Sequence, residues 1–474
     1  MPNRDQYRRI VMFLTTLVIL FLLTAVFGYI WYTYYAGVII QPFFRKGNWL
    51  VITVYGLLLY VFTRIYGGYR IGYFKRGDVI FSGFLSLTFV NIITYLQISL
   101  IGRKFMSPFP ILRMTICDVL LIALWGIISD KLYKKLYPPH KMLFVYDGDK
   151  AESLVLKMGA RPDKYEICEA VNISEGFEKI CGRIECYEAV IICDVKAEMR
   201  NRILKYCFER SIRTYLTPKI SDTIVRGADS IHLFDTPLLL CRNHGLTLEQ
   251  RFSKRALDLI FSVMALIVLS PLMACVALAI KLYDHGPVFY RQKRLTLDGK
   301  QFEVYKFRSM IIDAEKEGGP RLASKNDGRI TPVGKWIRQL RIDELPQFIN
   351  IIKGDMSIVG PRPERPEIMA EYLENIPEFS YRLKVKAGLT GYAQILGRYN
   401  TTPYDKLKLD LMYIENYSFF LDIKLMMMTV KILFQTESTE GVAEKTPRPA
   451  VPAIAGKENK EKLEMAKAGR GGIG

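Results

Sequence analysis

Four apolar runs, near residues 10–31, 49–66, 79–101 and 108–129, constrain this chain more than any other feature. Each is close to the roughly 20 residues that an α-helix needs to cross a bilayer core. A helix satisfies its own backbone polar groups, which lipid cannot do, so an isolated apolar run of that length folds as a helix there. Residues 1–138 therefore read as an N-terminal four-helix transmembrane bundle. The first run could instead be a signal peptide, but it is long, lacks a small-residue cleavage site and runs into the aromatic segment 29–35, which favours an anchor. Composition agrees with a membrane protein: half of the 474 residues are hydrophobic, and the mean hydropathy is +0.11.

The net charge of +19 could mean nucleic acid, anionic lipid or an anionic small substrate. Location decides between them. The basic residues flank apolar runs, as at Arg8-Arg9, Lys75-Arg76, Lys134-Lys135 and Lys254-Arg255, and form no single block, which argues against nucleic acid. Arg4, Arg8 and Arg9, the loop with Arg64, Arg70, Lys75 and Arg76, and the group Lys131, Lys134 and Lys135 are expected on the cytoplasmic side. The opposite loops hold only Arg45-Lys46 and Arg103-Lys104. The eight cysteines show no CxxC and no His/Cys cluster, so neither a zinc site nor a disulfide framework is expected.

From residue 139 to 248 short apolar runs alternate with helical stretches. Segments 142–146, 165–171 and 189–193 read as strands, and 149–158 and 198–211 as helices, a Rossmann-like α/β pattern. After the first strand comes Tyr146-Asp147-Gly148-Asp149, with one glycine and two acids where a dinucleotide loop would present backbone donors. A regulatory or dimerising module is expected there. A fifth apolar run, 259–280, carries Ser270-Pro271 at its middle. Proline removes a backbone donor and collides with the preceding turn, and the serine hydroxyl can re-satisfy the freed carbonyl. The run is thus either a kinked spanning helix or a bent one that returns to its own side. Residues 249–434 read as an α+β domain, and 435–474, rich in Glu, Lys, Ala, Gly and Pro, as a disordered tail.

Trp336, Ile337, Leu340, Leu345, Phe348, Ile349 and Ile352 recur at roughly helical spacing, which places Asp343 and Glu344 on or beside a helix. Adjacent helical residues point about 100° apart, so the two carboxylates have different roles. Pro346 disfavours helix at Leu345 and predicts a break that exposes the acids. In Pro361-Arg362-Pro363-Glu364-Arg365-Pro366 the prolines stiffen a loop that offers planar guanidinium groups to phosphate oxygens. Tyr290-Arg291-Gln292-Lys293-Arg294 and Lys306-Phe307-Arg308-Ser309-Met310 add basic groups at the ends of strand-like runs.

Taken in order, Lys254-Arg255-Ala256-Leu257-Asp258, Ser270-Pro271, Lys306-Phe307-Arg308-Ser309-Met310, Asp343-Glu344-Leu345-Pro346-Gln347, Gly360-Pro361-Arg362-Pro363 and Gly388-Leu389-Thr390-Gly391-Tyr392-Ala393-Gln394 resemble the bacterial sugar transferase family. These are monotopic polyprenyl-phosphate phosphoglycosyl transferases, and the four spans and degenerate Rossmann-like module resemble their long form. Two positions depart from the family pattern: Lys386-Ala387-Gly388 stands where Arg-Pro-Gly is common, and Arg294 is followed by Leu295 instead of glycine.

The resemblance implies transfer of a sugar-1-phosphate from a UDP-sugar to undecaprenyl phosphate with release of UMP, at the cytoplasmic face of a bacterial inner membrane, as the first membrane step of exopolysaccharide, capsule or O-antigen assembly. It implies Asp343 as nucleophile, Glu344 as its helper, Mg²⁺ held by Asp343 and Glu344, and Lys306 beside them. Arg294, Arg308, Arg338, Arg362, Pro363, Arg365, Lys386 and Asp410 would bind substrate. It further implies a re-entrant helix at about 256–282 broken at Ser270 and Pro271, contact with membrane lipids, and a homodimer through the middle module. The segment 419–434 would suit a further interfacial helix. An ordinary glycosyltransferase, which would release UDP, and a non-catalytic membrane scaffold are the competing readings.

Overall fold

The computed structural model describes residues 7–44, 46–148, 151–241, 245–312, 327–397 and 401–434. Arg4, Arg45, Asp149 and the tail 435–474 lie outside the described residues. The chain divides into two compact units, the first ending at Thr217 and the second beginning at Pro218.

In the first unit the four apolar runs are helices α1 (Arg8–Ile30), α2 (Lys46–Tyr66), α3 (Arg76–Ile101) and α4 (Phe109–Leu136). A π-helical turn, Trp31–Tyr35, extends α1 through the aromatic segment. All four are long and apolar enough to cross a membrane. Helix α1 packs on α2 and α4, and α3 on α2 and α4. Small residues sit at the crossings, Gly28 against Ile52 and Gly83 against Ile122, where they let backbones approach. Polar side chains pair across helices: Tyr55 donates to Asn91 Oδ1 at 3.1 Å, and Asn91 donates to Thr115 Oγ1 at 2.8 Å. The outward sides carry Phe21, Leu100, Ile116 and Leu120, all exposed in the protein alone.

There follow β1 (His140–Tyr146), α5 (Ala151–Gly159), β2 (Tyr165–Asn172), α6 (Phe177–Ile184), β3 (Ala189–Cys193), α7 (Ala197–Glu209) and β4 (Arg213–Leu216). The strands form a parallel sheet in the order β2-β1-β3-β4. Strand period 2 sends Leu143, Val145, Val190 and Ile192 to the face covered by α6 and α7, and Met142, Phe144, Ala189 and Ile191 to the face covered by α5. The expected α/β alternation is present, with α6 and β4 added to it.

The second unit opens with α8 (Ile220–Arg226) and the hairpin β5 (Asp229–Leu233) and β6 (Thr236–Leu240). The boundary expected at 248/249 falls inside this unit, because Ile220 and Ile224 join the hydrophobic core of the C-terminal region. Helix α9 (Leu248–Asp284) contains the fifth apolar run. Thr247 and Gln250 form its capping box, each side chain accepting from the other's backbone N–H. Pro271 lies inside the helix, and the carbonyl it leaves without an amide partner, Ile267 O, accepts from Ser270 Oγ at 2.8 Å.

Beyond α9 come the antiparallel pair β7 (Phe289–Leu295) and β8 (Gln301–Phe307), then α10 (Pro332–Gln339), α11 (Gln347–Lys353), β9 (Ser357–Val359), α12 (Pro366–Asn375), a 3₁₀ run Pro377–Lys384, β10 (Gly388–Thr390), α13 (Tyr392–Leu396), α14 (Pro403–Glu415) and α15 (Phe419–Leu433). Strands β9 and β10 are parallel. They approach closely at two glycines: a Cβ on Gly388 would stand 2.1 Å from Gly360 N. The Gly360-Pro361 and Gly388-Leu389-Thr390-Gly391 motifs thus join two strands, with Gly360 N donating to Thr390 O and Gly388 N to Pro361 O, each at 2.8 Å.

Both halves of α9 pack on this same unit. Near its start Lys254 donates to Asp422 Oδ2 at 2.7 Å and to Tyr413 at 2.9 Å, and Asp258 Oδ1 accepts from Ser357 Oγ and Ile358 N. Near its end Val276 and Ile280 share a cluster with Phe307, Ile337 and Ile342. Between them Ile260, Val263, Met264, Ile267 and Val268 are exposed.

Candidate active site

The periodic apolar stretch 336–352 is two helices, and the break expected at Pro346 falls instead at Arg341. That residue is left-handed, at φ 54°, and separates α10 from the 3₁₀ turn Ile342–Glu344. A non-glycine residue pays about 1–2 kcal/mol for this conformation. Leu345 stays helical at φ −58°, ψ −36°, so the break that exposes the acids is the reversal at Arg341 and not the effect of Pro346 on its predecessor. Helix α11 then starts at Gln347 with Pro346 as its N-cap, where a missing N–H costs nothing. A 3₁₀ turn sets consecutive residues about 120° apart, so the two acids diverge.

Glu344 turns into a ring of cations. Its Oε1 accepts from Lys306 Nζ at 2.8 Å and from Arg362 at 3.1 Å, and its Oε2 lies 3.9 Å from Arg341. Strand β8 supplies Lys306 and the stiff loop before α12 supplies Arg362. Although burial opposes ionisation, Lys306, Arg362 and Arg341 hold this carboxyl well below its ordinary value. Asp343 is the opposite case. Burial pushes its carboxyl up, with Lys306, Arg338 and Arg362 pulling the other way and Glu344 adding repulsion. Its side chain makes no hydrogen bond or ion pair with any described residue, so its oxygens are open to a substrate.

Arg294 donates to Pro363 O at 3.0 Å and to Gln292 Oε1 at 2.6 Å; burial, followed by the nearby Arg362, pushes its guanidinium down to about 10. Arg365 adds to the positive field there. Arg308, by contrast, is not brought to the acids. It is buried against Asp284, which it grips with both terminal nitrogens, and donates to Pro287 O at 2.6 Å, so it fastens the end of α9. Lys386 is also elsewhere: its electrostatic neighbours are Arg255, Asp258, Asp355 and Lys254. Asp410 is buried, and its Oδ2 accepts from Arg382 Nε at 3.0 Å.

Arg382, which the sequence reading missed, links these parts. It is 2% exposed and sits 2.8 Å from Asp410 Oδ2 and 3.3 Å from Glu364 Oε1. It also donates to Arg362 O at 3.0 Å, which clamps the arginine loop onto α14. No local pattern marks it, because its partners lie 18 to 28 residues away in sequence.

The residues present fit a hard divalent cation. Asp343 is open and Glu344 Oε2 has only the long contact to Arg341, and Mg²⁺ takes one or two carboxylates and completes its shell with phosphate oxygens and water.

A family model described as bacterial sugar transferase matches residues 249–436. The UDP-N-acetylgalactosamine-undecaprenyl-phosphate N-acetylgalactosaminephosphotransferase of Aeromonas hydrophila is 30% identical over 393 residues, covering 82% of this chain and 85% of the relative. The chain belongs to the bacterial sugar transferase family. The chain is also similar to the UDP-glucose:undecaprenyl-phosphate glucose-1-phosphate transferase of Escherichia coli K12, at 42% identity over 211 residues and 44% of each chain. The undecaprenyl-phosphate galactose phosphotransferase of Salmonella typhimurium is 34% identical over 242 residues, 46% of this chain and 50% of the relative. These last two matches span about half of each relative, whereas the first, spanning most of both chains, makes this sugar transferase a long-form member.

Proposed function

We propose that the protein is a polyprenyl-phosphate glycosyl-1-phosphate transferase that moves a sugar-1-phosphate from a UDP-sugar to undecaprenyl phosphate. The observation that carries this reading is the division of labour in the acid pair: Glu344 is locked by Lys306 and Arg362, and Asp343 is left open beside them. An Asp343 oxygen attacks the phosphorus that bears the sugar. The bond from that phosphorus to the bridging oxygen breaks, UMP leaves with the oxygen, and an aspartyl phosphosugar forms. An oxygen of the lipid phosphate then attacks the same phosphorus, and the bond to Asp343 breaks. The sugar's C1–O bond survives both steps, and the double displacement gives ping-pong kinetics.

Lys306 and Arg362 stabilise charge on the transferring phosphoryl group, and Arg338 and Arg341 extend that field. Arg294, Pro363 and Arg365 shape the loop that meets the diphosphate. A bound Mg²⁺, held by Asp343 and Glu344, would offset the charge of the diphosphate.

Helices α1–α4 cross the inner membrane as a bundle, and α9 enters and leaves on the cytoplasmic side, bent at Ser270 and Pro271. Support for re-entry comes from the packing of both halves of α9 on one unit around an exposed apolar middle. The 3₁₀ turn bearing the acids shares a cluster with Val276 and Ile280, so the chemistry sits beside the membrane limb. The protein acts as a homodimer at the first membrane step of glycan assembly.

The test is Asp343→Asn with a UDP-sugar radiolabelled in the sugar. Wild-type protein without lipid acceptor should release one equivalent of UMP and retain label; the variant should do neither while keeping its melting profile. Full UMP release by the variant would remove Asp343 as nucleophile, and release of UDP would point to an ordinary glycosyltransferase.

A further inference from the structure

The helical bundle and the parallel sheet belong to one compact unit, and they meet where α1 begins and α4 ends. A short link joins Leu136 at the end of α4 to His140 at the start of β1, and parallel pairing sets Tyr165, the start of β2, beside His140. The turn before β2 therefore reaches the loop between α2 and α3. Arg161 donates to Tyr73 O at 3.1 Å, and Lys164 Nζ lies 4.0 Å from the centre of the Tyr73 ring and 5.1 Å from that of Tyr165. Cations collect in this seam without matching acids. Arg161 is paired with Asp163 through two nitrogens. Arg8, 5.5 Å from the centre of the Tyr133 ring, and Lys164 make no ion pair with any described residue. The three stand close enough to repel: burial lowers the Lys164 ammonium from its ordinary value, and Arg161 and Arg8 push the same way against Tyr73 and Asp163. Arg8 acts on Tyr215 of β4 as well, so it belongs to the sheet's side of the seam as much as to the bundle's. A half-buried ammonium without a counter-charge is costly to keep, and an anion entering the seam removes that cost.

We propose that the seam between the bundle and the α/β sheet is a phosphate-binding site, with Arg8 and Lys164 as its ligands and Arg161 as a third positive neighbour. The acid pair belongs to the other compact unit, so this is a second anion site. Arginine offers a planar fork and lysine a point charge, the two groups that bind phosphate oxygens. Two unmatched positive charges also balance a phosphate monoester, which carries about −1.5 to −2 at neutral pH. The position at the end of the spans admits two sources of that group: the headgroup of an anionic phospholipid, or a soluble phosphate. A bound phosphate ties the sheet to the bundle through charges that otherwise repel.

The experiment uses the delipidated full chain in detergent. Equilibrium dialysis with radiolabelled inorganic phosphate reads the soluble source, and native mass spectrometry after addition of phosphatidylglycerol reads the lipid source. Arg8→Gln with Lys164→Gln should lose one equivalent of bound phosphate or of retained lipid, its affinity falling about tenfold or more, the scale of one charge-assisted hydrogen bond. Lys131→Gln with Lys135→Gln removes the same charge from exposed positions of α4 and should lose neither. Phosphate held at the acid pair is common to all three proteins and cancels. Equal losses in the two pairs, or no loss in the first, overturn the site. If the first pair does not keep the wild-type melting profile, Lys164→Gln alone decides by the same readings. The lipid measurement rests on the reading of α1–α4 as spans and the soluble one does not; loss of lipid alone assigns a headgroup, and loss of phosphate alone a soluble ligand. Neither measurement involves UMP release, so failure of this site leaves the proposed reaction standing.

Discussion

At Glu344 a single carboxylate oxygen accepts from both Lys306 and Arg362, and that arrangement decides what its neighbour can do. Were Glu344 neutral, the two cations would turn to Asp343, the one open carboxylate among them, and engage it. Glu344→Gln should therefore lower UMP release about a hundredfold or more, the scale of losing one preorganised electrostatic partner, although the side chain keeps its shape. Steady-state kinetics with saturating UDP-sugar would check this, and an unchanged kcat would leave Glu344 without a part in the chemistry. The acid pair was legible in sequence because both acids are consecutive and stand in an ordered set of motifs. Their divergence was legible too, but its cause was not. The left-handed turn at Arg341 has no glycine or asparagine to announce it, and the apolar period runs on across the break because Trp336 and Leu340 face outward.

Among the elements, the arginine loop and α14 are coupled by Arg382, and the coupling titrates. Burial pushes Asp410 up to about 6 from its ordinary 3.8, against the pull of Arg382. The native protein thus holds this proton more tightly than the unfolded chain does. Its contribution to stability is full below the ordinary value and is lost as pH rises through about 6. Asp410→Asn mimics the protonated form, so the wild type should lose melting temperature relative to this variant as pH rises from 4 towards 7. Activity should run the other way, because only ionised Asp410 pairs with Arg382 and steadies Arg362. A wild-type melting curve that tracks the variant at every pH would sink the assignment. Element boundaries were the readable part here: the apolar runs and the alternating strands are periodic. The partner of Arg308 was not readable, because a motif gives residue types and not partners, and only the fold brings Asp284 to it.

For the whole molecule, the proposed re-entry of α9 sets the side of the membrane on which the second unit lies. A spanning α9 would have to leave its two ends in different aqueous phases. Yet Lys254 and Asp258 at one end and Val276 and Ile280 at the other are held by the same compact unit, and a buried ion pair such as Lys254 with Asp422 is not surrendered without leaving a charge unpaired. Ser270 supplies the missing bond at Pro271, so the proline position needs no partner helix to satisfy it. Re-entry therefore predicts one labelling pattern. In a cysteine-free background, Cys186 restored alone and Glu374→Cys alone flank α9 in sequence, and both positions are exposed. A membrane-impermeant maleimide should label both in inside-out vesicles and neither in right-side-out ones. Labelling from opposite sides would make α9 a spanning helix and would place Asp343 away from the cytosolic UDP-sugar, so the same result would also undo the proposed reaction.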